Sequence, residues 1–222
     1  MPKLRVAPQK RDPERTRKNI VECATQAFSK GGYKGTSLSD ILEDAGVNKR
    51  MVYHYFGNKE GLYREVHLEQ WKRLEDWFAE ALTRSSQGKA FSLESEDLLL
   101  EAISIFHEFI GGNPVFVRLL MWDGLEGGQV SRSLWKSIRG QLYQRMELLI
   151  RGAQQAGLLS NELKPDHLVV SVMGEISFYF AYANSLRDIF GRDPLKPEAV
   201  EERKAQVLLH FKSILQNAEA TR

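Results

Sequence analysis

Two cations and three ring side chains crowd into seven residues, Lys49, Arg50, Tyr53, His54 and Tyr55, with Thr36, Ser37 and Asn48 upstream and Lys59 just downstream. This set suits an extended polyanion. Lys, Tyr and Ser side chains and the open N–H groups of helix N-termini match phosphate oxygens, whereas an arginine fork can pair with both acceptors of a guanine edge. Catalysis has little support. His54, His67, His107, His167 and His210 are widely separated and in no metal-ligand spacing, and there is no phosphate loop or nucleophile elbow. The sequence therefore predicts neither an enzyme, a metal site nor a cofactor.

The surrounding pattern explains how these side chains would be positioned. Leu38, Ile41, Leu42 and Ala45 recur at helical spacing after Ser37, a natural N-cap, with Asp40 completing an approximate capping box. Gly46 stops that helix, and Val47 can pack back onto Leu42. Asn48 reopens a helix in which Val52 and Phe56 face inward, leaving Lys49, Arg50, Tyr53 and His54 outside. A second helix held across a glycine turn, basic at its N-terminal end, has the geometry to enter a DNA major groove.

The run Ala45 to Leu62, A-G-V-N-K-R-M-V-Y-H-Y-F-G-N-K-E-G-L, and the upstream Phe28 to Ser37, with one extra residue at Gly31, resemble the DNA-binding domain of the TetR family of transcriptional regulators. The resemblance covers roughly residues 13 to 65. It implies that Tyr53, Tyr55 and Lys59 contact the DNA backbone and that Lys49 and Arg50 read bases. Arg50, Met51 and Tyr55 differ from the residues common at their positions; all three lie in the reading helix, so they bear on the operator sequence and leave the fold untouched.

Charge is distributed accordingly. Residues 1 to 60 hold 12 Lys and Arg against 7 Asp and Glu, whereas the remainder is net acidic, and the whole chain carries +2. The basic end is the helix-turn-helix end, as phosphate contact requires. At 222 residues and 42% hydrophobic, the chain can form a small head, residues 1 to 60, and a larger helical domain, residues 61 to 222. The single cysteine, Cys23, excludes an internal disulfide and is expected in the core; with no signal-peptide pattern, a cytoplasmic location and no membrane span are expected. Residues 1 to 12 form a basic stretch that is either a solvated tail or an arm on the DNA.

Asp12-Pro13 opens the first helix, which should end at Gly31-Gly32, and Asn58 caps a fourth running from Lys59 to about Thr83. A loop over Ser85 to Ser92 precedes helices at about Ser95 to Ile110, Pro114 to Leu125 and Ser131 to Ala156. Pro165 opens a helix whose stretch from Leu168 to Leu186 has one charged residue and apolar side chains almost all round, and Pro197 to about Ala218 forms the last. The fold class is all-α. Ser171, Gly174, Ala181 and Ser185 form a small-residue strip; with Val169, Phe178, Val207, Phe211 and Leu215 they predict a two-fold, four-helix homodimer interface.

The resemblance implies an effector pocket between residues 60 and 186. All four tryptophans, including Trp77 and Trp135, lie there, and the candidate contacts are Trp71, Phe106, Phe109, Trp122, Tyr143, Glu175 and Tyr179, each of which can equally be plain core. Glu175 needs a partner: either a protein cation such as Arg118 or Arg145, or a cationic or hydrogen-bonding ligand. The expected function is a repressor bound to double-stranded palindromic operator DNA as a homodimer and released by a small-molecule effector. The alternatives are an activator or dual regulator, or a ligand-independent DNA-organising or scaffolding protein with a filled core.

Overall fold

A computed structural model describes residues 12–85, 96–128, 132, 134 and 138–219. Within them the chain is all α-helical: α1 (Pro13–Gly35), α2 (Leu38–Ala45), α3 (Lys49–Phe56), α4 (Lys59–Ser85), α5 (Glu96–Gly112), α6 (Pro114–Leu125), α7 (Ile138–Gln155), α8 (Pro165–Ala181), α9 (Ala183–Phe190) and α10 (Pro197–Glu219). The N-terminal stretch, the expected loop over Ser85 to Ser92, the expected helix start at Ser131 and Trp135 fall largely or wholly outside the described residues. No helix among the described residues is long and apolar enough to cross a membrane.

Local chemistry sets the ends of the first four helices. Asp12 Oδ1 accepts from the amides of Glu14 and Arg15, Ser37 Oγ from Ser39, Asn48 Oδ1 from Met51, and Asn58 Oδ1 from Gly61. Gly46 takes the left-handed conformation (φ 62°), and the Val47 amide reaches back to the Leu42 carbonyl, closing the turn between α2 and α3. Ile20, Ala24, Phe28, Ile41, Val52, Leu62, Tyr63 and Val66 bury against one another as the head's core. The first turns of α4 thus belong to the head by packing, although a division after residue 60 places them in the larger domain.

Two expected boundaries are shifted by tertiary packing. α1 does not end at Gly31-Gly32; it kinks at Gly32 (φ 66°, ψ −171°) and closes one further turn at Gly35. The long apolar helix breaks at Tyr182, and α9 runs on to Phe190 before Gly191 turns the chain. The Tyr179 hydroxyl donates to the Pro194 carbonyl (2.7 Å), tying the returning loop to α8, while Ala183 is buried at the new helix start.

The larger domain packs α4, α5, α6, α7, α8 and α10 around Trp71, Leu74, Phe106, Phe109, Phe116, Leu142, Ile176, Val207 and Phe211. This corrects part of the expected dimer interface. Val169, Val207, Phe211 and Leu215 face their own protomer's core, because α10 turns its apolar stripe inward onto α5. Gly174, Phe178 and Ala181 point outward, as do Val170, Tyr182 and Leu209.

Candidate nucleic-acid interface and effector cavity

On α3, Val52 is fully buried while Met51 and Phe56 are half-buried against α1 and α4, so the helix is fixed with one side to solvent. That side presents Lys49, Arg50, Tyr53 and His54, and the Lys49 ammonium lies 5.7 Å from the centre of the Tyr53 ring. Asn48 uses its side-chain oxygen as the cap and leaves its amide N–H groups exposed. Ser37 accepts from Ser39, so its hydroxyl proton remains available to an incoming phosphate.

Three expected DNA contacts also make contacts within the head. Thr36 is buried, and its hydroxyl donates to the carbonyls of Gly32 (2.7 Å) and Ala27 (3.2 Å); it fastens the end of α1 and has no proton left for phosphate. The Lys59 ammonium donates to the Tyr33 carbonyl and sits 4.4 Å from the centre of the Tyr33 ring. Burial lowers its pKa, and the nearby Glu126 carboxylate opposes that shift. Lys59 is thus a tie between α4 and the end of α1. Tyr55 is half-buried, packed with the head's core and edge-on to His54 (5.0 Å).

Inside the larger domain lies a cavity of about 100 Å³. Of the residues expected to touch an effector, Trp71, Phe106 and Tyr143 line it; Phe109, Trp122, Glu175 and Tyr179 do not. Phe109 is core, edge-on to Phe116. Glu175 points at α10, where it pairs with Arg203 Nη2 (3.3 Å) and His210 Nδ1 (2.8 Å); Arg118 and Arg145, its expected partners, bond to the Ser29 carbonyl and to Glu75. Tyr179 anchors Pro194, and its pKa is raised chiefly by burial. Val169, Phe211 and Leu215, assigned from sequence to the dimer interface, are cavity wall. Met146 and Met173 also line it and were missed, because methionines at helical spacing read the same in a filled core.

A second connection was invisible in the sequence. Trp122 packs against Gly32 at the α1 kink, and the Glu126 carboxylate just past α6 accepts from the backbone amides of Tyr33 (2.9 Å) and Lys34 (2.8 Å). Arg118 Nε adds a bond to the Ser29 carbonyl (2.7 Å). One face of α6 thus grips the end of the head's first helix. Its other side reaches the cavity wall, where Phe116 meets Trp71 edge-on at 5.1 Å.

A capped, outward-facing helix-turn-helix joined through α4 and α6 to a helical domain with an internal cavity defines a DNA-binding transcriptional regulator of the two-domain, all-α class. The profile described as "Bacterial regulatory proteins, tetR family" matches residues 20–66, and that described as "Tetracyclin repressor-like, C-terminal domain" matches residues 96–209. The chain belongs to the TetR family. It is 26% identical over 182 residues to the HTH-type transcriptional repressor NicS of Pseudomonas putida, covering 81% of this chain and 82% of that protein. It is 28% identical over 164 residues to the HTH-type transcriptional repressor SCO4008 of Streptomyces coelicolor, covering 73% and 77%. Among solved structures, a putative TetR-family transcriptional regulator from Syntrophomonas wolfei superposes with a TM-score of 0.68 at 18% identity, over 92% of this chain and 96% of that one. The putative transcriptional regulator SCO4942 from Streptomyces coelicolor gives 0.66 at 21% identity, over 89% and 97%.

Proposed function

We propose that this regulator is a homodimeric repressor that binds a palindromic operator through α3 and lets go when a small molecule enters the cavity beside α4. The observation that carries the reading is the double membership of α4. Its first turns complete the head's core with Leu62, Tyr63 and Val66, while Trp71, Leu74 and Phe78 further along form cavity wall. Lys49 and Arg50 read base edges; Ser37, Tyr53 and the exposed amide of Asn48 hold phosphates, and His54 lies beside them. An internal cavity favours this reading over a DNA-organising protein with a filled core.

The dimer forms on the outward side of α8. Val170, Gly174, Phe178 and Ala181 are exposed along it, with Tyr182 stacked on Phe178 at 4.4 Å, and Leu209 of α10 is exposed as well. Paired about a two-fold axis, they set the spacing of two α3 helices on half-sites about 34 to 36 Å apart. An effector that displaces the Trp71 side of α4 also pushes on Phe116, so strain reaches the head through α4 and through α6. Moving a population from about 1:99 to 99:1 takes roughly 5.5 kcal/mol of differential affinity, shared between two cavities.

The test starts from genomic fragments selected on the full-length protein, followed by footprinting. Two protected half-sites related by a dyad are expected. An effector that releases this DNA must itself bind less tightly to the DNA complex, by the same factor. Equal effector affinity for the free and the DNA-bound protein would rule out the release mechanism, and failure to enrich any sequence would rule out the operator.

A further inference from the structure

The cavity wall specifies the chemistry of its occupant. Among the described residues no Lys, Arg, His, Asp or Glu side chain reaches it, and the groups able to form ordinary hydrogen bonds are confined to Tyr143 and Trp71. A carboxylate or ammonium drawn into such a wall loses its water and, among the described residues, meets no counter-charge. An apolar molecule gives up no hydrogen bonds on entry and gains contact with Phe78, Phe106, Leu142 and Phe211. The free volume of about 100 Å³ is somewhat below that of an apolar cavity able to hold benzene. Met146 and Met173, unbranched and adaptable, let the wall expand by small rotations.

The wall also contains a polar reader. The Tyr143 hydroxyl on α7 donates to the Met173 sulfur on α8 at 2.8 Å, and both side chains border the free space. A thioether is a poor acceptor, so an oxygen brought into the cavity takes that proton in a stronger bond. Resting on the effector-sensor reading above, we propose that the cavity takes an uncharged, mainly hydrocarbon molecule about the size of one substituted aromatic ring, carrying one oxygen that accepts from Tyr143.

Three probes of similar shape separate the possibilities on the full-length protein by calorimetry: ethylbenzene, acetophenone and benzoate. Acetophenone is expected to bind about tenfold more tightly than ethylbenzene, roughly one hydrogen bond's worth, and benzoate at least about a hundredfold more weakly than acetophenone. Tyr143→Phe, which keeps the ring, should bring acetophenone down to the ethylbenzene level and leave ethylbenzene unchanged. Val172→Phe, filling the wall, should abolish both, with circular dichroism confirming the fold; should it misfold, Tyr143→Phe still decides. Benzoate binding as tightly as acetophenone, binding of none of the three, or acetophenone affinity indifferent to Tyr143→Phe each overturns the proposal. Operator release, followed separately by gel shift, keeps the two readings apart. Acetophenone bound without release supports this chemistry and sinks the sensor reading, whereas release by benzoate with no neutral probe bound does the reverse.

Discussion

Replacing Gly32 by Ala should be among the most damaging single-methyl additions to this protein. At φ 66° and ψ −171° Gly32 lies in a backbone region that is essentially glycine-only, and holding another residue there costs about 1–3 kcal/mol. The new Cβ would also come within 2.8 Å of both Trp122 Cε3 and Glu126 Oε1. Neither can retreat cheaply, since Glu126 is held by two backbone amides, and forced overpacking of this kind adds about 1–3 kcal/mol. Together they remove about 2–6 kcal/mol from a total that for most domains is about 5–15 kcal/mol. Urea unfolding followed by circular dichroism, at fixed protomer concentration because a dimer's stability depends on it, measures the loss. In a double-mutant cycle with Trp122→Ala the steric share should appear as coupling and the backbone share should persist. A Gly32→Ala protein within about 1 kcal/mol of wild type would refute both the conformation and the α6 grip.

Arg50→Ala should weaken specific binding by about 1–3 kcal/mol and relax preference at one base position, whereas Lys59→Ala, which breaks the tie to Tyr33, should cost stability more than it changes salt dependence; an unchanged specificity ratio in Arg50→Ala would count against base reading. Phe178→Asp, at a side chain 52% exposed, should leave the protomer folded but monomeric in sedimentation, while Phe211→Asp, 4% exposed in the core, should prevent folding; a dimeric Phe178→Asp would move the interface elsewhere. His107 is buried against Phe180, with its ring nitrogens unbonded, and burial first, then Lys204 and Arg203, lowers its pKa to about 4. Since the unfolded chain binds more protons between pH about 6.5 and 4, stability present above that window is lost on acidification, by at most about 3 kcal/mol. His107→Phe should flatten that part of the stability profile, and parallel profiles for the two proteins would exclude His107 as the cause.

The head was legible because its determinants are local. Caps at Asp12, Ser37, Asn48 and Asn58 satisfy amides two or three residues away, and Gly46 closes its turn within five residues, so sequence spacing alone specifies them. The exposed face of α3 follows from the same periodicity. Periodicity shows that a helix has an apolar stripe; it does not say which neighbour the stripe meets. That is why Val169, Phe211 and Leu215 were legible as apolar yet turned out to be cavity wall, with the outward face left to Val170, Phe178 and Ala181. Thr36 looked like a phosphate ligand by type and position, but its one hydroxyl proton is taken by carbonyls within the head. The pairing of Glu175 with Arg203 and His210 spans about thirty residues, and the grip of Trp122 and Glu126 on the Gly32 kink spans about ninety. No local rule ties residues so far apart, and only the packing of α6 against α1, and of α10 and α8 against α5, brings them into reach.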